Sequence, residues 1–433
     1  MRKHRRIISL VTTVLLCATV LTISLAYATP PTAGTNNSPS ASIRPPAGSL
    51  IVPDDFLTIQ AAVDNASTGD TIFVRNGIYP ERITIDKPLS LIGEDAQKTT
   101  AGGAPPSHSG NSFVIKVTAE NVLISGFTIT NDSVGIWVDM QNYRVPPPSQ
   151  CRIIGNNIVN NGGAISIGSG KNQVISGNNV TGNSVGGISI DINSPNSVIS
   201  GNYIAGNGGP GISVSSDNIT INQNSIIGNG FDRNLGPESR GGLKVEESGP
   251  FYVYGNNITG NEGYGFLFAG GSNNSSIYQN NIEGNTVGIE LFNFPITVDQ
   301  TIGTGNKVYQ NNIINNSKQA YIQTAWIYAS NFPNYTWTNG TDIVAWDNGK
   351  EGNYWSDYQS RYPSAKEFDS SGIGNTPYVI DQNNTDYHPL IRPVDISTAS
   401  PSPSIPEFPW LILFPLLVAT TLFAIFAHEG KRL

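Results

Sequence analysis

The chain has 433 residues, a net charge of −8 and a pI of about 5.0. Charged residues make up only 13% of it, about half the share usual in globular proteins, whereas it holds 46 glycines and 47 asparagines. With no Lys/Arg cluster between its two ends, this charge pattern lacks the basic stripe that a nucleic-acid partner requires, so none is expected.

The first residues carry a basic group (Arg2, Lys3, Arg5, Arg6), an apolar run from Ile7 to Leu25 and the small-residue site Ala26-Tyr27-Ala28. This predicts a secretory signal peptide over residues 1–28. The Pro/Ser/Thr-rich stretch that follows predicts an extended linker over 29–49. Of the two cysteines, Cys17 lies in the apolar run, so Cys151 is left alone and reads as a small buried apolar residue.

The stretch TIQAAVDNASTGDTIFVRNGIYPERITIDKPLSLIGE (Thr58–Glu94) predicts a short amphipathic helix with Ile59, Ala62 and Val63 on its buried face. Gly69-Asp70 then turns into a strand at Thr71–Val74. Beyond it, one unit recurs: GNNIVNNGGAISI (Gly155–Ile167), GNNVTGNSVGGISI (Gly177–Ile190), GNYIAGNGGPGISV (Gly201–Val214) and GNNITGNEGYGFLF (Gly255–Phe268). Gly126, Gly155, Gly177, Gly201, Gln223, Gly255, Gln279 and Gln310 fall in one column, most of them about 22 to 24 residues apart. A unit this short cannot bury its own apolar face, but stacked units can. Three inward columns follow: Ile153, Ile175, Ile199 and Ile221; Ile158, Val180, Ile204 and Ile258; Ile165, Ile188, Ile212 and Leu243. The pattern predicts an all-β parallel solenoid, with a coil length matching the right-handed, three-sheeted kind. Asn178 and Asn179 are expected at a tight corner, where an asparagine amide can bond to its copy in the next coil. Gly182 and Gly186-Gly187 are expected to make the other turn.

The Thr58–Glu94 stretch resembles the opening of pectin-lyase-like right-handed β-helices. GNYWSDYQSRYPSAKEFDSSGIGNTPYVIDQNNTDYHPL (Gly352–Leu390) resembles the closing segment of NosD-like β-helix proteins. The resemblance spans residues 50–392 and implies a right-handed parallel β-helix with an aromatic C-terminal cap over about 321–392. It also raises carbohydrate-cleaving and copper-related roles. The Gly-His-Gly and Arg-Ile-Lys motifs of polygalacturonase-like members are absent. Copper prefers His, Cys or Met, and the ectodomain offers only His108, His388, Cys151 and Met140, scattered along the chain. No cofactor is therefore expected. A Ca²⁺ site stays open at Asp357, Asp369, Asp381 and Asp386, residues that read equally as turn formers.

Outward positions of the third strand form two rows: Trp137, Ser166, Ser189, Ser213, Lys244, Leu267, Glu290, and Asp139, Gly168, Asp191, Ser215, Glu246, Ala269, Phe292. Asp139, Asp191 and Glu246 lie two coils apart, roughly 9 to 10 Å between backbones, near the spacing of inverting glycosidase acids. They are candidate catalytic acids, or simply a solvated acidic face. Trp137, Trp326, Trp337, Trp346 and Trp355 are candidate sugar platforms, the last four also fitting a cap. Asn131, Asn179, Asn218, Asn257 and Asn334 head N-x-S/T sequons.

The chain closes on a linker (393–407), an uncharged apolar run of spanning length (408–427) and a basic tail (428–433) with Lys431 and Arg432. Ile405-Pro406-Glu407-Phe408 resembles the PEF-type sorting signal of archaeal surface proteins, which implies processing by a sortase-like enzyme. The expected protein is exported, membrane-anchored and displayed at the cell surface, binding carbohydrate or envelope glycan without catalysis. The alternatives are a polysaccharide hydrolase or lyase and a NosD-like copper-related accessory.

Overall fold

A computed structural model describes residues 44–103, 112–139, 146–246, 249–269, 272–292, 304–323 and 344–396. The expected signal peptide (1–28), most of the first linker, the spanning segment (408–427) and the basic tail (428–433) lie outside these residues. Among the described residues, no helix is long and apolar enough to cross a membrane.

Helix α1 (Ile59–Asn65) closes the first coil. The Thr58 hydroxyl accepts from the Ala61 N–H at its start, and the Glu81 carboxylate accepts from the Ile59 and Gln60 N–H groups at 2.9 Å each. A carboxylate at this end satisfies otherwise orphaned donors and sits favourably in the helix dipole. Ile59, Ala62 and Val63 are buried against the solenoid, as the spacing predicts.

The body is three parallel sheets of twelve, ten and eleven strands among the described residues. One coil illustrates the rest. Val174–Ser176 lies in the first sheet, Asn179–Thr181 in the second and Gly186–Asn193 in the third. Each strand pairs in register with its equivalents one coil away, so Ile153, Ile175 and Ile199 stack, as do Ile158, Val180 and Ile204, and Ile165, Ile188 and Ile212. All three predicted columns are buried in one continuous apolar core. Between the first and second sheets the backbone turns through a left-handed residue, Gly177 at φ +62°. The same position holds Gln223, Gln279 and Gln310 in other coils, also left-handed, so the aligned column is a single structural corner.

Just inside that corner sits a buried asparagine: Asn156, Asn178, Asn202, Asn224, Asn256, Asn280, Asn311 and Asn353 in successive coils. Each gives its backbone N–H and its Nδ2 to the Oδ1 of the next, as Asn178 does to Asn202 at 3.0 Å twice. Nδ2 also donates to a backbone carbonyl, here Ile153 O at 2.8 Å. A second ladder of the same design runs inside the other corner: Asn161, Asn183, Asn207, Asn229, Asn261, Asn285 and Asn316. Only one asparagine ladder was expected. Asn179 departs from its expected corner position: it opens the second-sheet strand and points outward, donating to Asn157 Oδ1 at 2.6 Å.

At the far end, the segment after Val344 folds over the last coil through α2 (Tyr358–Arg361) and two short antiparallel hairpins. Trp346 and Trp355 are buried there, and Trp355 stacks on Tyr378 at 4.1 Å. The last rung of the first ladder, Asn353, donates its backbone N–H to Asp386 Oδ2 at 2.7 Å. Trp355 Nε1 adds a bond at 2.8 Å and the His388 N–H one to Oδ1 at 3.0 Å. Gly352 makes room for this carboxylate, since a Cβ there would stand 1.8 Å from Asp386 Oδ1.

Candidate functional site

The outer face of the third sheet carries most of the predicted polar positions. Phe113–Val117, Val134–Val138, Gly163–Ser169 and Gly186–Asn193 are consecutive strands of it. The register stacks Lys116, Trp137, Ser166, Ser189, Ser213 and Lys244 in one outward row. Trp137 is half-buried, and the Lys116 ammonium lies 4.4 Å from its ring centroid. Phe113 leans on the same indole at 6.2 Å. An ammonium over an indole face is an attractive contact that also orients the ring. Lys116 and Phe113 were missed in the sequence because their coil precedes the clear Gly-Asn-Asn repeats; aligning FVIKV with VGIWV would have found them.

The acids of the second row divide. The Asp139 carboxyl lies over Gly168, where a Cβ would meet its carboxyl carbon at 2.9 Å. It accepts from the buried Ser169 hydroxyl at 2.9 Å. Two coils on from Asp139 stands Asp191, exposed near the end of its strand, whose carboxyl is pushed above its ordinary value by desolvation first and then by the Asp139 charge, with the Ser189 hydroxyl opposing. Asp139 and Asp191 therefore share one electrostatic site. Glu246 does not join them: Lys244 pairs with it at 2.7 Å and the Ser215 hydroxyl donates to it at 3.3 Å.

Two expectations need correction. The outward row is not open throughout, because Leu267 and Ala269 are buried in a small apolar cluster with Tyr264. The Phe292 side chain lies outside the described residues. Trp346 and Trp355 cannot be sugar platforms. Both are buried, Trp355 has one face on Tyr378, and their indole N–H groups are bonded to Asn384 Oδ1 and Asp386 Oδ2. Trp326, Trp337 and Asn334 lie outside the described residues. Of the other sequon asparagines, Asn131 and Asn218 are exposed, whereas Asn179 and Asn257 are half-buried with their amides bonded to neighbouring coils.

A further aromatic feature appears on the first sheet. Tyr254, Tyr278 and Tyr309 stack at 5.1 and 5.3 Å, with Asn222 donating to the Tyr254 hydroxyl. Their faces cover one another, so edges and hydroxyls face outward. The equivalent positions in earlier coils are Ser176 and Ser200, which hid the column from sequence reading.

Among the described residues, no three His, Cys, Asp or Glu side chains converge as a metal site requires. Asp381 accepts from the Asn383 and Asn384 N–H groups, Asp357 from the Tyr378 hydroxyl, and Asp386 closes the first ladder. His108 and Met140 lie outside the described residues. His388 sits 3.2 Å from Asp347 in the cap, and the buried Cys151 thiol is raised to about 11 by desolvation.

Residues 111–282 match the family described as right handed beta helix region. Residues 231–360 match the family described as periplasmic copper-binding protein (NosD). No curated protein matches the chain in sequence. Among solved structures it is similar to pectate lyase Pel9A, at 15% identity and a TM-score of 0.45 over 67% of this chain and 74% of that one. It is also similar to the A-module of mannuronan C-5 epimerase AlgE6 of Azotobacter vinelandii, at 14% identity and 0.37 over 62% and 91%. A third likeness is to ORF18 of Geobacillus virus E2, at 16% and 0.36, where the chain covers 57% of itself and spans 56% of that protein. By its three parallel sheets the chain is a parallel β-helix, similar through residues 111–282 to the right handed beta helix region family and through residues 231–360 to the NosD family.

Proposed function

We propose that this protein is an exported β-helix that holds carbohydrate on the outer face of its third sheet without cleaving it. The observation that carries this reading is the row of Lys116 and Trp137 beside Asp139 and Asp191 on one sheet face. An oriented indole offers an apolar ring face, and the flanking ammonium and carboxylates offer donors and acceptors to hydroxyls. The partner class is an envelope or extracellular glycan, in keeping with the signal-like first 28 residues and the periplasmic setting named for the NosD family. Anchoring through residues 408–427, with or without processing at the PEF triplet, belongs to the same proposal.

A glycan array with the purified protein tests it. A hit should lose about tenfold in affinity in Trp137→Ala, the worth of one aromatic contact. Unchanged binding in that variant would remove the sheet face from consideration. A second reading has one specific support: Asp139 and Asp191 stand on one sheet face with the Asp191 carboxyl raised, and a pair of carboxyl groups is what glycosidases use to cleave. Incubating any glycan hit and looking for shortened products separates the two, since cleavage abolished by Asp191→Asn would favour the hydrolase. A copper role is poorly served, because residues 231–360 contain no His, Cys or Met.

A further inference from the structure

Both asparagine ladders point the same way. Every rung donates toward the C-terminal end, so each ladder must finish on an acceptor. The first finishes inside the protein, on the Asp386 carboxylate. The second finishes differently. Asn316 gives its backbone N–H (3.3 Å) and Nδ2 (3.0 Å) to Gln319 Oε1, and Gln319 Nε2 donates to Ser356 Oγ at 2.7 Å. The Asn315 N–H also donates to Ser356 Oγ, at 2.9 Å. A hydroxyl has two lone pairs and one proton. With both lone pairs taken, Ser356 can only donate, and among the described residues no acceptor takes its proton.

Ser356 lines an open cleft of about 570 Å³, together with Lys318, Gln319, Asp357, Arg361 and Tyr378. Lys318 and Arg361 are exposed and form no ion pair among the described residues; they lie over Tyr321 at 4.2 Å and Tyr378 at 4.8 Å. The acid on this wall, Asp357, has each oxygen 3.1 Å from the Tyr378 hydroxyl. Burial and the Asp357 charge raise that hydroxyl and outweigh the opposing pull of Arg361, so it stays protonated and a donor to Asp357. Two cations against one carboxylate make the cleft locally positive in a chain of net charge −8.

We propose that this cleft binds the carboxylate of a small hydroxylated acid, which accepts the Ser356 proton and is charge-balanced by Lys318 and Arg361. Such a ligand would complete the second ladder from outside, as Asp386 completes the first from within. Asp357 is left to accept from a ligand hydroxyl. The site stands apart from the third-sheet face and does not rest on the glycan reading.

Calorimetric titration of the purified protein with sodium glucuronate, sodium acetate and glucose tests this. Glucuronate should bind saturably and more weakly as NaCl rises, acetate should compete, and glucose should not. Acetate binding as tightly as glucuronate would overturn the hydroxylated ligand; tighter binding of glucuronate supports it. Lys318→Gln and Arg361→Gln change exposed side chains and should each cost about tenfold or more. Asp357→Asn keeps an acceptor oxygen for a ligand hydroxyl and removes a like charge, so it should bind at least as tightly. Ser356→Ala should weaken binding in a protein whose far-UV circular dichroism is unchanged. Trp137→Ala should leave this binding intact, which separates it from any sheet-face ligand. No saturable glucuronate binding, equal binding in the Lys318→Gln/Arg361→Gln double variant, or equal competition by glucose would overturn the proposal.

Discussion

Asp386 sits in the C-terminal cap with no ion-pair partner among the described residues, held by the N–H groups of Asn353, Trp355 and His388. Those bonds favour its charged form, but burial outweighs them, and the nearby Asp347 charge adds to it, so its carboxyl is raised from 3.8 to about 6. The sign of the linkage follows. Below 3.8 both folded and unfolded chains carry the proton; between there and about 6 only the folded chain does. Stability therefore falls as pH rises through that window, by about 3 kcal/mol in all for a shift of this size. Thermal denaturation of the wild type should give a midpoint that declines from about pH 4 to about pH 7. Asp386→Asn should flatten that slope, whatever its absolute midpoint, since an amide does not titrate. An identical slope in the variant would assign the pH dependence elsewhere. None of this was legible in the sequence, where Asp386 read as one of four turn or cation-site acids. Its partners Asn353 and Trp355 lie more than 30 residues away, and only the closed cap brings them together.

Within each coil, the readable signals and the hidden ones have different physical origins. The aliphatic columns were legible because burial demands an apolar side chain at the same step of every coil, and Ile175, Val180 and Ile188 obey it. The first corner was legible because a left-handed backbone narrows the choice to Gly, Asn and a few polar residues such as Gln223. The second ladder was not, since Asn183 follows Gly182 and reads as more of the same turn. Its interior position appears only when the coils are stacked. The carboxylate pair was half legible: the alternation put Asp139 and Asp191 on one face, but Glu246 carries its own cation, Lys244, two residues away. The two asparagine roles predict opposite sensitivities. Asn207→Ala removes the acceptor of the Asn183 N–H and Nδ2 and the donor to Val180 O, all buried, and should cost about 3 kcal/mol or more. Asn179→Ala touches an outward side chain and should cost less than about 1 kcal/mol. Thermal midpoints of the two variants, measured side by side, check this; equal losses would contradict the ladder account.

The described coils form a stack in which each coil contacts mainly the coil before and the coil after. Stability in such a stack is close to a sum of coil and interface terms. One coil should therefore be removable if both asparagines leave with it. Deleting residues 177–200 would join Ser176 to Gly201, put Asn202 directly after Asn156 and Asn207 after Asn161, and keep every column in phase. The shortened protein should stay soluble and keep its far-UV β signature, whereas a deletion of half a coil should not. Failure of the whole-coil deletion to fold would mean that coils carry more individual information than their shared pattern suggests.

The common direction of the two ladders also gives the solenoid a head and a tail. Each end of the stack would present an open strand edge, which is the geometry of a self-templating fibre. Helix α1 and the Asp386 cap work as terminators of that growth. The protein's length is set by where its two stops are placed, and a lost stop would be felt first as polymerisation.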